Sequence, residues 1–121
     1  MKYDLTRPCK ECPFRTDIRA YLTPARVREI CDSLIARQQT FSCHKTNNFG
    51  EDGDGVETHN SQHCAGALIF LEKLNRPNQM MRIAERMRMY DRTKLHMDAP
   101  VFDTPAQMSA AQPKQRRTRA A

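Results

Sequence analysis

Four of the five cysteines stand where one metal centre could use them as ligands. Cys9 and Cys12 form a C-x2-C pair in the stretch RPCKECPFR, and a tight turn of this kind points both sulfurs toward one ion or cluster. Cys43 and Cys64 follow in two later segments, each beside a histidine. Structural zinc takes four Cys or His ligands in a tetrahedron. The spacing therefore predicts a metal site held by Cys9, Cys12, Cys43 and Cys64.

Two alternatives to zinc held by four cysteines stay open on the same residues. His44 or His63 can replace one of the two later cysteines as a ligand, or can hydrogen-bond a ligand sulfur without touching the metal. A 4Fe-4S cluster also takes four cysteine thiolates, and a proline directly after a ligand cysteine, as at Pro13, occurs in ferredoxin-type sequences. That signal is a single dipeptide here, so we favour zinc over the cluster.

The fifth cysteine, Cys31, is predicted to lie in the hydrophobic core. Thr23 and Pro24 are typical of a helix start, as an N-cap residue followed by proline at the first helical position. In the predicted helix over residues 24–39, apolar residues recur on one face, at Val27, Ile30, Cys31, Leu34 and Ile35. A free cysteine in such a stripe behaves as a small hydrophobic residue.

Two further helices are predicted after an acidic, glycine-rich loop at residues 47–62. The first covers residues 62–75 with Ser61 as its cap, and it is apolar on most sides, which indicates a central position. The second covers residues 79–92 with Asn78 as its cap. Its apolar residues at helical spacing are predicted to fill the core: Met80, Ile83, Ala84 and Met87.

These patterns predict a mainly α fold, a small single domain of about three helices with minimal β structure and a loop-rich N-terminus organised by the metal site. With 39% apolar residues and a mean hydropathy of -0.77, the 121-residue chain has a modest core, and a bound metal would add stability. We expect the metal-stabilised helical domain at residues 1–103. It would end in an extended arm anchored by Val101 and Phe102, followed by a disordered basic tail at residues 104–121.

The compartment follows from the apolar runs and the cysteines. The first residues contain no apolar run, and the longest one, AGALIFL, is far too short to cross a bilayer. We therefore expect a cytoplasmic protein with no membrane partner. Thiols stay reduced in that compartment, which favours metal binding over disulfides. The odd number of cysteines agrees with this interpretation.

Four stretches of the sequence carry a resemblance to a known family: PCKECPFR, FSCHKT, CAGALIFLEK and RPNQMMRIAERMRMYD. Over residues 5–103 the chain resembles an uncharacterised family of short cysteine-rich proteins of bacteriophages and bacteria. The resemblance implies that Cys9, Cys12, Cys43 and Cys64 form the defining site and that Cys31 lies outside it. The family has no assigned activity, so the resemblance implies no particular function, and the expectation of a metal-binding accessory protein rests on the residues alone.

Charge provides the main indication of a partner. The net charge is +6, and residues 113–121 hold four basic residues and no acid. We expect binding to nucleic acid or to a nucleic-acid-processing protein, because clustered cations attract phosphates. The candidate contacts lie on the last predicted helix and in the tail: Arg82, Arg86, Lys114, Arg116, Arg117 and Arg119.

The sequence leaves three other functions open besides nucleic-acid binding. An iron–sulfur cluster would indicate a redox or sensing role. The methionines of the last predicted helix would suit adaptable contacts with a protein, as in an inhibitor of a host protein. Catalysis is the least favoured, because four cysteine ligands would close the site and the zinc-hydrolase motifs H-x-E and H-E-x-x-H do not occur in the sequence.

Overall fold

The computed structural model describes residues 2–43, 48–49, 55–56 and 61–113. Within these residues the fold is mainly helical, as predicted. Four α-helices occur there, which we label α1 to α4: Pro24–Cys31, Ala65–Lys73, Gln79–Arg86 and Pro105–Ala110. A π-helical turn, Asp32–Ala36, continues α1, and a short 3-10 helix spans Arg92–Lys94. Two antiparallel strands, β1 (Asn48–Phe49) and β2 (Gly55–Val56), form a small ribbon.

Helix α1 starts as predicted and ends earlier than predicted. The Thr23 side chain accepts a hydrogen bond from the Arg26 N–H, 3.1 Å away, and proline follows the cap. After Cys31 the hydrogen bonding widens, and the Arg37 N–H donates to the Asp32 carbonyl at 2.9 Å. Gln38, with φ of 52°, then adopts the left-handed conformation that ends the helix.

Helix α2 is the centre of the core, as its apolar composition predicted. Every residue from Ala65 to Leu71 is buried. The predicted start was wrong, however, because Ser61 does not cap this helix. Residues 61–64 are extended, and Cys64 is the N-cap residue. Long-range backbone pairing, and not the local preference of serine for a cap position, therefore determines where α2 begins.

That pairing holds residues 61–64 between two other segments of the chain. On one side lie the first residues of the chain, and on the other lies the segment that follows α1. Four backbone hydrogen bonds make the contact: Lys2 N–H to Ser61 O at 2.8 Å, His63 N–H to Lys2 O at 2.7 Å, Cys43 N–H to Gln62 O at 2.6 Å and Cys64 N–H to Phe41 O at 2.7 Å. The segment therefore sets the position of α2 relative to the rest of the core.

Helix α3 buries a different face from the predicted one. Its Asn78 cap is confirmed by a 3.1 Å hydrogen bond from the Met81 N–H. Met81 and Ala84 are buried, whereas three of the four residues predicted for the core are exposed: Met80 (41%), Ile83 (40%) and Met87 (65%). Both sets have helical spacing, so periodicity could not choose between them.

The C-terminal arm is confirmed, and it leads to a helix that was not predicted. Val101 and Phe102 are buried, and the Phe102 N–H donates to the Phe14 carbonyl at 3.1 Å. We expected disorder from residue 104, but α4 packs on α1 with Met108 fully buried. One apolar anchor in a six-residue helix leaves no periodic signal. The remaining tail, residues 114–121, lies outside the described residues.

The packing of α4 gives a direct stability test. Met108→Ala should lower the free energy of unfolding by about 2–5 kcal/mol, because it leaves a cavity against α1. Met80→Ala, on the exposed face of α3, is the matched control and should change it by less than about 0.5 kcal/mol. Urea unfolding monitored by circular dichroism measures both values. Equal effects of the two substitutions would show that α4 adds nothing to the fold.

Candidate metal centre

One cavity, of about 430 Å³, is lined by all four cysteines that the sequence singled out. They arrive from three separate parts of the chain. Cys9 and Cys12 come from the N-terminal loop, Cys43 from the segment after α1, and Cys64 from the N-terminus of α2. The paired segments 41–43 and 62–64 bring the last two together, because they run antiparallel and share backbone hydrogen bonds.

The C-x2-C stretch folds as a tight turn whose backbone N–H groups point at sulfur. The Cys12 N–H donates to the Cys9 carbonyl at 3.2 Å, which closes the turn. The Cys9 sulfur accepts from the Glu11 N–H, and the Cys12 sulfur accepts from the N–H groups of Phe14 and Gly66. Such donors stabilise a thiolate: they help to lower the pKa of Cys12, and at Cys9 they partly offset burial, which raises the pKa of that thiol.

Cys12 and Cys64 form a buried thiol pair, with their sulfurs 3.5 Å apart. The hydrogen bond from the Cys64 thiol lowers the pKa of Cys12, with burial opposing and the backbone donors assisting. The same hydrogen bond, together with complete burial, raises the pKa of Cys64 well above its ordinary value. Cys12 is therefore the sulfur of this pair that loses its proton first.

Cys9 and Cys43 form the second pair. Burial raises the pKa of the Cys9 thiol most, and the neighbouring sulfurs of Cys12 and Cys43, including a hydrogen bond with Cys43, raise it further. The four sulfurs thus line one cavity as two hydrogen-bonded pairs. In the described part of the chain, no three Cys, His, Asp or Glu side chains are arranged around one point to hold a metal ion. Binding an ion would require thiol rotations that merge the two pairs.

Cys31 lies outside this cavity, as its helical stripe predicted. It is buried in the core on α1, beside a separate pocket lined by Val27, Ile35 and Pro105. Burial, with Asp32 adding to it, raises the pKa of this thiol to about 11. A thiol of that pKa stays protonated at neutral pH, which suits packing and not ligation.

His63 is used by the backbone in this structure. Its ring is buried and stacks on Tyr3 at 5.3 Å between centroids. Its Nε2 accepts from the Phe41 N–H at 3.3 Å, so its Nδ1 is the donor to the Cys64 carbonyl at 3.1 Å. Burial lowers the pKa of His63 to about 4, which keeps the ring neutral. With both nitrogens engaged, His63 ties segments 41–43 and 62–64 together; His44 lies outside the described residues.

Two residues that support the site were not singled out from the sequence. Phe14, directly after the C-x2-C-P stretch, is fully buried between Phe41 and Phe70, with ring centroids 5.7 and 5.2 Å away. A Cβ atom on Gly66 would lie 2.4 Å from the Cys12 sulfur and 3.1 Å from the Phe14 Cβ. The signals were present in CPF and CAG, where an aromatic residue and a glycine follow cysteines that are predicted ligands.

The predicted nucleic-acid contacts are placed in part. Arg82 and Arg86 are exposed on α3, and the four basic residues of the tail lie outside the described residues. Another arginine, Arg15, lies beside the C-x2-C turn and binds both oxygens of Asp17 at 2.7 and 2.6 Å. It also donates to the Cys9 carbonyl at 3.2 Å, so it braces the C-x2-C turn.

A comparison with known families adds one assignment. A family model described as a family of unknown function, DUF6283, matches residues 4–120. The chain belongs to this family. The expectation of an uncharacterised family is thereby confirmed, while the cysteine framework as the mark of DUF6283 and the phage or bacterial origin stay predictions. No curated protein and no solved structure matches this DUF6283 protein.

No helix in the described ranges is long and apolar enough to cross a membrane.

The contact between Gly66 and Cys12 can be tested by a double-mutant cycle. Replacing a helical glycine with alanine ordinarily stabilises a protein by about 0.5–1 kcal/mol. Here Gly66→Ala should instead cost about 1–3 kcal/mol, because the new methyl group overlaps the Cys12 sulfur. In a Cys12→Ala background the cost should shrink, since the sulfur is gone. Urea unfolding measures the four free energies, and a stabilising Gly66→Ala in the unaltered background would refute the contact.

Proposed function

We propose that this protein binds one zinc ion through the thiolates of Cys9, Cys12, Cys43 and Cys64, and that the ion has a structural role. The observation that carries the proposal is the convergence of these four sulfurs on one cavity from three chain segments. Cysteines that merely filled the core would have no reason to gather there, and Cys31, which does fill the core, lies elsewhere.

The sulfur spacing supports a single ion over a cluster. With Zn–S bonds of about 2.3 Å, two sulfurs of a tetrahedral site lie about 3.8 Å apart. The Cys12 and Cys64 sulfurs are 3.5 Å apart, so a small opening of this pair admits zinc. In a 4Fe-4S cluster each cysteine binds a different iron, which separates the sulfurs more widely. The cluster stays the alternative, with a redox or sensing role.

Backbone donors at Cys9 and Cys12 favour the thiolates that zinc requires, against the burial that raises the pKa of Cys9 and the Cys12 hydrogen bond and burial that raise the pKa of Cys64. Four thiolates and one zinc ion carry a net charge of −2, which the backbone N–H groups of Glu11, Phe14 and Gly66 partly offset. When the four sulfurs occupy the tetrahedron, no coordination position is left for a water nucleophile. The proposal is therefore a binding protein and not a hydrolase.

The proposed ion would contribute to folding because of where its ligands come from. The N-terminal loop precedes α1 and contains no helix or strand in the described residues, and α2 enters the core directly after Cys64. A metal bond to each segment would fix their relative positions. Binding free energy of a structural zinc site is then folding free energy, and a chelator should destabilise the chain.

Metal content tests this proposal directly. Protein purified without oxygen should contain one zinc per chain, measured by mass spectrometry, and should be colourless. Serine in place of Cys9, Cys12, Cys43 or Cys64 should reduce the zinc content well below one per chain, because each substitution removes one of four thiolates. Replacement of zinc by cobalt should give the visible bands of tetrahedral thiolate coordination.

Cys31→Ser is the matched control for these variants. It removes a buried thiol of the same chain and should retain one zinc per chain, since Cys31 lies outside the cavity. Iron and sulfide in a brown sample would contradict the zinc proposal and support the cluster. Loss of zinc from Cys31→Ser, in a variant that still folds, would contradict the assignment of the ligands.

For the contact function we propose that α3 and the basic tail bind nucleic acid or a nucleic-acid-processing protein, as an accessory protein of a phage or bacterium. Arg82 and Arg86 are exposed on α3, and the nearby Glu85 pairs with Arg92 at 3.8 Å. The exposed Met80 and Ile83 lie on the same helix, Met87 follows directly after it, and the three would add apolar contact. The alternative, an inhibitor of a host protein, uses this same surface.

Salt dependence separates these two partners. If DNA is bound, the affinity should fall steeply between 50 and 200 mM salt, roughly tenfold or more, with little sequence preference. Arg82→Ala with Arg86→Ala should weaken binding and flatten the salt slope. Arg28→Ala with Arg37→Ala, two exposed arginines outside α3, is the charge-matched control and should leave both unchanged. Fluorescence anisotropy measures the affinities, and an absence of salt dependence would remove nucleic acid as the partner.

A further inference from the structure

We propose that hydrogen peroxide converts this site into two cross-segment disulfides, Cys9–Cys43 and Cys12–Cys64, and not into a disulfide within the C-x2-C pair. This inference rests on the proposed zinc site only for the release of the ion that oxidation would cause. The pairing itself stands on the arrangement of the four thiols. The site would then be a thiol-based peroxide sensor as well as a metal site.

The pairing follows from which sulfurs already touch. The Cys12 and Cys64 sulfurs are 3.5 Å apart, and a disulfide bond is about 2.05 Å long, so closing it needs a movement of about 1.5 Å. Cys9 shares a side-chain hydrogen bond with Cys43. A Cys9–Cys12 disulfide would require both of these contacts to break. The fold therefore favours the two longer-range pairs.

The order of oxidation follows from exposure. Cys9 is partly exposed, whereas Cys12, Cys43 and Cys64 are buried. The cavity that the four share has a volume of about 430 Å³, which admits a molecule as small as hydrogen peroxide. Cys9 is thus the sulfur that peroxide reaches first, and Cys43 is the partner beside it. The buried pair would follow with a second peroxide.

Each disulfide balances with one peroxide. The Cys9 sulfur attacks one peroxide oxygen, the O–O bond breaks, and the products are a sulfenic acid on Cys9 and, after proton transfer, one water. The Cys43 sulfur then attacks the Cys9 sulfur, the S–O bond breaks, and a second water leaves with the thiol proton. Two electrons pass from the two thiols to the peroxide. A second peroxide oxidises the Cys12–Cys64 pair by the same two steps.

The products would preserve the architecture while the ion is lost. Cys12–Cys64 would link the N-terminal loop to α2, across a sequence separation of 52. Cys9–Cys43 would link the same loop to the segment after α1. These are the three segments that the proposed zinc ion would join, so the oxidised chain should remain folded. A C-x2-C disulfide would link none of them.

Disulfide mapping of the full chain tests the pairing. Protein purified without oxygen, with whatever metal it holds, is treated with two equivalents of hydrogen peroxide, alkylated, and digested without reduction for mass spectrometry. The expected products are Cys9–Cys43 and Cys12–Cys64, with Cys9–Cys43 predominant after one equivalent. A predominant Cys9–Cys12 disulfide, or disulfides formed at random among the four, would overturn the inference.

The same treatment of zinc-loaded protein tests the release of the ion. A chromogenic chelator should report one zinc released per two peroxides, and circular dichroism should retain the helical signal. The Cys31→Ser variant should give the same map and the same release, because its thiol lies outside the cavity. If the protein as purified contains no zinc and still forms the two predicted disulfides, the metal proposal fails and this inference stands. A zinc protein that forms Cys9–Cys12 would do the reverse.

Discussion

Backbone pairing along residues 61–64 is the constraint on which the rest of the structure depends. This segment is hydrogen-bonded on one side to Lys2 and on the other to residues 41–43. Because this segment is extended up to Cys64, α2 begins at Ala65, and the Cys64 sulfur lies at the N-terminus of the helix. The pairing also brings Cys43 alongside. Without it, the two later cysteines would have no reason to face the N-terminal loop.

The hydrophobic core and the cysteine cavity share residues, so the packing of one determines the geometry of the other. Phe14 anchors the end of the C-x2-C-P stretch between Phe41 and Phe70, so the loop that carries Cys9 and Cys12 is fixed by aromatic contacts. Gly66 allows the Cys12 sulfur to approach the first turn of α2 and to accept its backbone N–H. The C-terminal arm closes the other side by pairing with Phe14. Substitutions in the core should therefore change the positions of the cysteine sulfurs.

Local signals predicted what depends on local chemistry. The Thr23 and Asn78 caps and the buried stripe containing Cys31 were read correctly, because each is fixed by residues within one or two turns of a helix. The four ligand candidates were chosen by residue type and spacing, and the structure brings them to one cavity. What the sequence could not show was the pairing within that cavity, which depends on side-chain contacts between distant segments.

Errors arose where tertiary structure chose between equivalent local patterns. On α3, two sets of residues have helical spacing, and contacts with the rest of the fold bury Met81 and not Met80. Ser61 has the right type for a cap, but pairing with Lys2 keeps it extended. Helix α4 has a cap and a proline like α1, yet its single buried anchor, Met108, gives no periodicity. In each case the deciding interaction lies far away in sequence.

The central claim is that Cys9, Cys12, Cys43 and Cys64 together bind one zinc ion. X-ray absorption at the zinc edge, on the full chain purified without added metal, measures the ligand shell most directly. We expect four sulfur neighbours at about 2.3 Å and no other atom bonded to the zinc. A nitrogen or oxygen neighbour at about 2.0–2.1 Å would contradict it, because a histidine or a water would then hold a position assigned to cysteine.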